Sequence, residues 1–160
     1  MGLSVPPGLS NLAPPSGRYR EKTRENEVPN PASRRVAAAG DLPAAGVYVA
    51  VFLLRRGREA VVGALGRRRF PAGWYFYVGS AQRRLPQRLR RHGRQRKVHH
   101  WHIDYLAAHA RLLGALVVAG PKACECRLAR ELARRYAGPC PGFGASDCDC
   151  PTHLFHRSLP

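Results

Sequence analysis

The densest run of β-branched and aromatic residues is Gly46-Val-Tyr-Val-Ala-Val-Phe-Leu-Leu54, which predicts a strand. It stops at Arg55-Arg-Gly-Arg58 and resumes at Ala60-Val-Val-Gly-Ala-Leu65, so the two runs read as a β-hairpin. Beyond the basic triplet Arg67 to Arg69, Pro71-Ala-Gly73 turns the chain into a third strand, Trp74-Tyr-Phe-Tyr-Val78. A small three-stranded antiparallel sheet follows. Pro86 suits a first helical turn, and Leu85 and Leu89 repeat at helical spacing, predicting a short basic helix. Over Trp101 to Leu113, Ile103, Leu106, Ala107 and Ala110 share one side, and Val117-Val118 can form a further strand before Gly120-Pro121 breaks the chain. The last helix spans Lys122 to Tyr136: Leu128, Ala129, Leu132 and Tyr136 make an apolar stripe, and Arg127, Arg130, Arg134 and Arg135 fall off it. Gly138 to His156, rich in Gly, Pro, Cys and Asp, reads as a loop-rich cap. The class is α+β, with helices flanking the sheet.

This pattern occupies residues 45–157. Residues 1–44 carry Pro, Ser, Gly, Arg and Glu with almost no apolar periodicity, and are expected to form a disordered basic extension. The 160 residues suffice for one domain with its own core. A formal net charge of +17, mostly from arginine, calls for a polyanionic partner, because the guanidinium matches phosphate oxygens. The start of the chain has neither the basic patch nor the long apolar core of a secretory signal. The apolar stretches Ala45 to Leu54 and Leu112 to Gly120 fall far short of the ~20 residues a membrane span needs. Five cysteines, an odd number clustered late in the chain, fit reduced thiols, and the expected location is the cytoplasm.

Several residues depart from this structural logic. Glu125 projects into the middle of the apolar stripe of its helix, where a carboxylate needs a cation, either an arginine or a metal ion; a water-facing Glu favoured by the helix N-terminus is the competing reading. Arg88 and His92, one turn apart, line the edge of the buried face set by Leu85. Arg83, Arg84, Arg90, Arg91, Arg94, Arg96 and Lys97 surround them with charge that can hold a phosphate backbone; Arg83, Arg84, Arg91 and Lys97 are the expected nucleic-acid contacts. Tyr48 and Tyr77 lie in strands bordered by Gly46 and Gly79.

Gly46-Val-Tyr48, Tyr77-Val-Gly79, Arg88-Leu-Arg-Arg-His92 and Cys124-Glu125-Cys-Arg-Leu-Ala129 together resemble, in order and element type, the GIY-YIG nuclease superfamily. Phe70 to Ser80, His100 to Leu106 and Gly142 to Phe155 are similar to its Uri-type branch, formerly classed as a domain of unknown function. The resemblance runs from Gly46 to His156. It departs from the family where the segment Ala60 to Leu65 is inserted between the two tyrosines, and where an asparagine is wanted near the site, since Asn11, Asn26 and Asn30 all lie in the extension.

The resemblance implies an endonuclease that hydrolyses phosphodiester bonds with one Mg²⁺ or Mn²⁺ ion. Glu125 would be its protein ligand, Tyr48 the acceptor of the attacking water's proton with His92 as the rival base, Arg88 the phosphate-binding cation and Tyr77 a positioning group. DNA is expected ahead of RNA as the partner, with no membrane and no inferable protein partner. The second reading is a nucleic-acid-binding module that keeps the fold and does not cut; a third is an interaction module built on the cysteine-rich tail. His99, His100, His102 and Asp104 offer a metal cluster, against which stands the divergent direction of adjacent histidines on a helix, so structural histidines are the preferred reading. Cys148, Cys150 and His153, with Cys140, offer a structural zinc site, against which stands the unusual Cys-x-Cys spacing.

Overall fold

The computed structural model describes residues 42–160, so the extension expected over residues 1–44 lies outside the described residues but for its last three. In chain order the elements are β1 (Gly46–Leu54), β2 (Arg58–Val61), β3 (Arg67–Phe70), β4 (Gly73–Ala81), α1 (Leu85–Gly93), α2 (His102–Ala107), β5 (Arg111–Val118), α3 (Cys124–Ala133) and β6 (Leu154–Arg157).

The main sheet has four strands, not three, in the order β5-β1-β4-β6, and the pairings given within it are antiparallel. β1 and β4 pair along their full lengths, from Gly46 opposite Ala81 to Leu54 opposite Gly73. The hairpin expected between Gly46 to Leu54 and Ala60 to Leu65 is therefore corrected. β2 pairs only with β3, as a separate two-stranded ribbon inserted between β1 and β4. The strand over Ala60 to Leu65 is cut short as well, because a 3₁₀ turn takes Gly63–Leu65.

β1 is mostly buried because both faces of the sheet are covered. On one face Tyr48, Ala50, Phe52, Leu54, Tyr75 and Tyr77 pack with Leu85 and Leu89 of α1 and with Ile103, Leu106 and Ala107 of α2. On the other, Val47, Val49 and Val78 meet Ala129, flanked by Leu128 and Leu132, so the stripe read from α3 does pack on the sheet. Val62 and Phe70, from the ribbon, and Phe143, from the tail, join the first core. Leu42 packs there too, and Ala44 accepts a hydrogen bond from the Leu85 amide at 3.0 Å.

Two elements differ further from expectation. The apolar side over Trp101 to Leu113 divides into a short helix ending at Ala107 and a strand beginning at Arg111. The tail is not only loop: β6 pairs with β4, Tyr77 opposite Leu154 and Trp74 opposite Arg157. That pairing fixes the residues just before β6 against the sheet. Among the described residues, no helix is long and apolar enough to cross a membrane.

Candidate functional site

Tyr48 and Tyr77 meet because β1 and β4 are in register. Tyr48 stands opposite Gly79 and Tyr77 opposite Ala50, side by side on one face, with ring centroids 6.5 Å apart. Gly79 is required by contact: a Cβ there would lie 2.6 Å from the Tyr48 hydroxyl. Gly46 has a similar cause, since a Cβ would come within 2.8 Å of the Val118 carbonyl. The Tyr48 hydroxyl is hydrogen-bonded to His92 Nε2 at 2.8 Å, and His92 is only 2% exposed. α1 thus delivers His92 behind Tyr48, while Arg88, one turn earlier, reaches outward. Arg88 Nη1 donates to the Ser80 carbonyl at 3.0 Å, and its guanidinium lies 4.6 Å from the centre of the Trp101 ring.

Charge in this region is organised around buried Asp104. Its Oδ2 accepts from the His100 and Trp101 amides and from Arg91 at 2.7 Å, and Lys97 stands 3.1 Å from Oδ1 with its side chain only 4% exposed. Burial acts to raise the Asp104 pKa, but the two amides and Lys97 outweigh it and hold the carboxyl below its ordinary range. Lys97 and Arg91, expected as nucleic-acid contacts, both pair with Asp104. Arg84 sits exposed at the N-cap of α1 with φ 55°, outside the cleft lining.

Tyr48, Tyr77, Arg83, Arg88 and Glu125 border one cleft of about 590 Å³, and His92 lies behind Tyr48 outside its lining. Glu125, 9% exposed, lies in the first turn of α3, and its Oε1 is 3.0 Å from His153 Nδ1. His153 is held by the sheet edge: its carbonyl accepts from the Val78 amide at 2.9 Å, and its amide donates to the Phe143 carbonyl at 2.8 Å. Lys122 and Asp147, both in the lining, form an exposed ion pair. His102, also in the lining, accepts from the Gly144 amide through Nδ1 at 3.0 Å, and burial lowers its pKa.

Burial is the leading influence on the buried phenols and on the imidazole behind them. It pushes both Tyr48 and Tyr77 well above the ordinary tyrosine range, although Arg88 opposes it. It pushes His92 down to about 4, aided by Lys97 and opposed by Asp104. At neutral pH the pair is therefore a phenol beside a neutral imidazole.

Sequence reasoning overlooked His153 as the partner of Glu125, and Lys122, Trp101 and Asp147 as cleft residues. The His100-Trp-His and Gly142 to Phe155 strings had marked their segments without assigning roles. Among the cysteines, Cys140 is fully buried elsewhere, and Cys126 takes the place expected of it beside Cys148, Cys150 and His153.

The divalent ion implied by the resemblance can be tested against these donors. Mg²⁺ and Mn²⁺ take oxygen ligands, keep several waters and are satisfied by one or two carboxylates with substrate phosphates. Glu125 uses one oxygen on His153 and borders an open, polar cleft, so the residues fit such an ion.

Fold and site together define a mixed α/β domain in which tyrosine, arginine and glutamate side chains from the antiparallel sheet and its flanking helices line a single polar cleft. The chain belongs to the family described as Domain of unknown function DUF123, whose model matches residues 47–159. Neither a curated protein nor a solved structure matches it.

Proposed function

We propose that this cleft hydrolyses phosphodiester bonds of nucleic acid, as a metal-dependent endonuclease of the GIY-YIG type. The observation that carries the reading is the convergence of Tyr48, Tyr77, Arg88 and Glu125, drawn from β1, β4, α1 and α3, on one cleft. Core packing explains the two tyrosines, but it does not require Arg88 and Glu125 to be brought beside them on one cleft.

In this reading Arg88 binds the scissile phosphate. Its guanidinium is pre-oriented by Ser80 and Trp101, so little rotamer freedom is lost on binding, and it stabilises the charge that builds on the phosphate oxygens. Tyr48 takes the proton of the attacking water. Because burial keeps Tyr48 protonated, it acts by exchange, passing its own hydroxyl proton to His92 Nε2 as it accepts the new one. His92 is thus the second member of a relay, not a rival base. Tyr77 packs beside Tyr48 and limits where the phosphate can sit. Glu125 would hold Mg²⁺ or Mn²⁺, which supplies Lewis acidity to the phosphate and lowers the pKa of a bound water. Arg83 and Lys122 lie along the same walls, where a polyanion would pass.

The test is cleavage of a panel of labelled DNA and RNA substrates with Mg²⁺, Mn²⁺ or EDTA, by the wild-type chain, Glu125→Ala and Tyr48→Phe. We expect metal-dependent cutting, with DNA preferred, that is lost in both variants while binding survives. Binding by all three proteins with no cutting under any metal would replace the nuclease by a binding module.

A further inference from the structure

We propose that Cys126, Cys148, Cys150 and His153 bind one structural zinc ion, next to Glu125 but separate from the ion proposed for the cleft. Their ligand atoms all lie within 4.8 Å of one another. In a tetrahedral site with Zn–S near ~2.3 Å, neighbouring sulfurs sit roughly 3.8 Å apart, so a contraction on the order of 1 Å completes the sphere. One pair is already at that scale, Cys148 Sγ being 3.5 Å from His153 Nε2.

The four donors come from separate parts of the chain. Cys126 follows Glu125 on α3, and His153 is anchored at the start of β6. Cys148 and Cys150 belong to a loop closed at its base by the Gly142 amide donating to the Pro151 carbonyl at 2.7 Å. Between Ser146 and Cys150 this loop has no buried residue, and Ser146, Asp147 and Asp149 are exposed. Cys150 also packs against the apolar cluster between the sheet and α3, but that packing does not account for Cys148, which turns to His153. A cavity of about 230 Å³, bordered by Ala123, Cys126, Cys148 and His153, gives an ion a way in.

The ligand set selects the metal. Three thiols and an imidazole are the donors of a closed structural zinc site, whereas the carboxylate of Glu125 suits a hard, oxygen-loving ion. The unusual Cys-x-Cys spacing ceases to be an objection once Cys126 is counted, because no pair of ligands within the loop has to complete the site. Binding releases the protons of the cysteine thiols and leaves zinc bonded to three thiolates and His153 Nε2. With Nε2 on the metal, the neutral ring carries its proton on Nδ1, which donates to Glu125 Oε1 at 3.0 Å. His153 then positions Glu125 while serving the zinc. The zinc assignment does not rest on the nuclease reading, because its test reads metal content, metal spectra and the His153 tautomer and never cleavage.

The full chain, expressed with zinc and dialysed, is expected to retain one zinc per chain. Cys126→Ser and Cys150→Ser lose it, and Cys124→Ser and Cys140→Ser keep it. Cobalt(II) titrated into the zinc-stripped wild-type chain should give thiolate-to-metal charge-transfer absorption and the intense ligand-field bands of a tetrahedral centre, a readout independent of whether any variant folds. Nitrogen NMR of the zinc-loaded protein should show His153 as the Nδ1–H tautomer. The proposal is overturned by a wild-type chain that takes up neither zinc nor cobalt through thiolate, by zinc that persists in both Cys126→Ser and Cys150→Ser, by an Nε2–H tautomer, or by a disulfide within the cluster.

Discussion

The hydrogen bond between Tyr48 and His92 joins two groups that burial drives in opposite directions, one toward a persistent phenol and the other toward a persistent neutral imidazole. The second effect has a consequence for stability. His92 in the folded chain titrates near 4, against 6.5 in an unfolded one, so between these values the unfolded chain binds the extra proton. Stability rises with pH across that window: the contribution is complete above 6.5 and is lost as pH falls toward 4, with a ceiling of ~3 kcal/mol. Lys97, Arg88 and Arg91 reinforce the shift and Asp104 opposes it, so the neutral ring depends on the whole junction. Urea midpoints of the wild-type chain should therefore fall more steeply between pH 6.5 and pH 4.5 than those of His92→Gln; parallel curves would mean that the imidazole is not held neutral by the fold. Gly79 makes a companion case. In Gly79→Ala the methyl meets the Tyr48 ring, so the hydroxyl must move off His92, and cleavage should drop with Tyr48→Phe even where the variant stays folded by circular dichroism.

Between elements, an electrostatic tie centred on a buried carboxylate joins α1 and the segment after it to α2, through Arg91, Lys97 and Asp104. The carboxylate is fully buried, so removing its charge strands Lys97 in a low-dielectric site instead of returning it to water. Asp104→Asn should cost ~3 kcal/mol or more in denaturant unfolding, whereas Glu59→Gln, which breaks an exposed pair with Arg67, should cost under ~1 kcal/mol. Equal effects would show that Asp104 is not the keystone of this junction. The same scale explains what could be read beforehand. β1, β4, α1 and α3 were legible because their apolar residues recur at strand or helix spacing within a short window. β3 was not, because Arg67-Arg-Arg69 carries no apolar alternation and becomes a strand only by pairing with β2. β6 was hidden for the same reason, its strand character coming from Trp74 to Tyr77 across the sheet. The expected hairpin failed on pairing, not on strand content: β1 had nearer and more distant partners to choose from, and full burial on both faces favoured β4 and β5.

At the scale of the molecule, a residue that broke a local pattern could be marked from the sequence, and a contact between two distant segments could not. Glu125 was marked by its own place in the apolar stripe, Arg88 by its pairing with His92, and Tyr48 only within the constellation, while the contact of Glu125 with His153 exists only after β6 docks. Arg91 and Lys97 were grouped with the phosphate-binding cations because their common partner, Asp104, lies on another helix. Among the described residues, this separates cations that border the cleft, Arg83, Arg88 and Lys122, from Arg91 and Lys97, which pair with Asp104. Arg83 and Lys122 border the cleft, as does Arg88, and under the proposed function each phosphate they neutralised would release counterions from the nucleic acid. For non-cleaving protein in EDTA, the plot of log affinity against log salt should flatten by roughly one in Arg83→Ala, measured between ~50 and ~200 mM salt. Lys97→Ala should leave that slope unchanged and instead lower the urea midpoint, because its ammonium serves Asp104 inside the domain. A slope change in Lys97→Ala as large as that in Arg83→Ala, with no loss of stability, would return Lys97 to the nucleic-acid face and undo the division of charge argued from its burial.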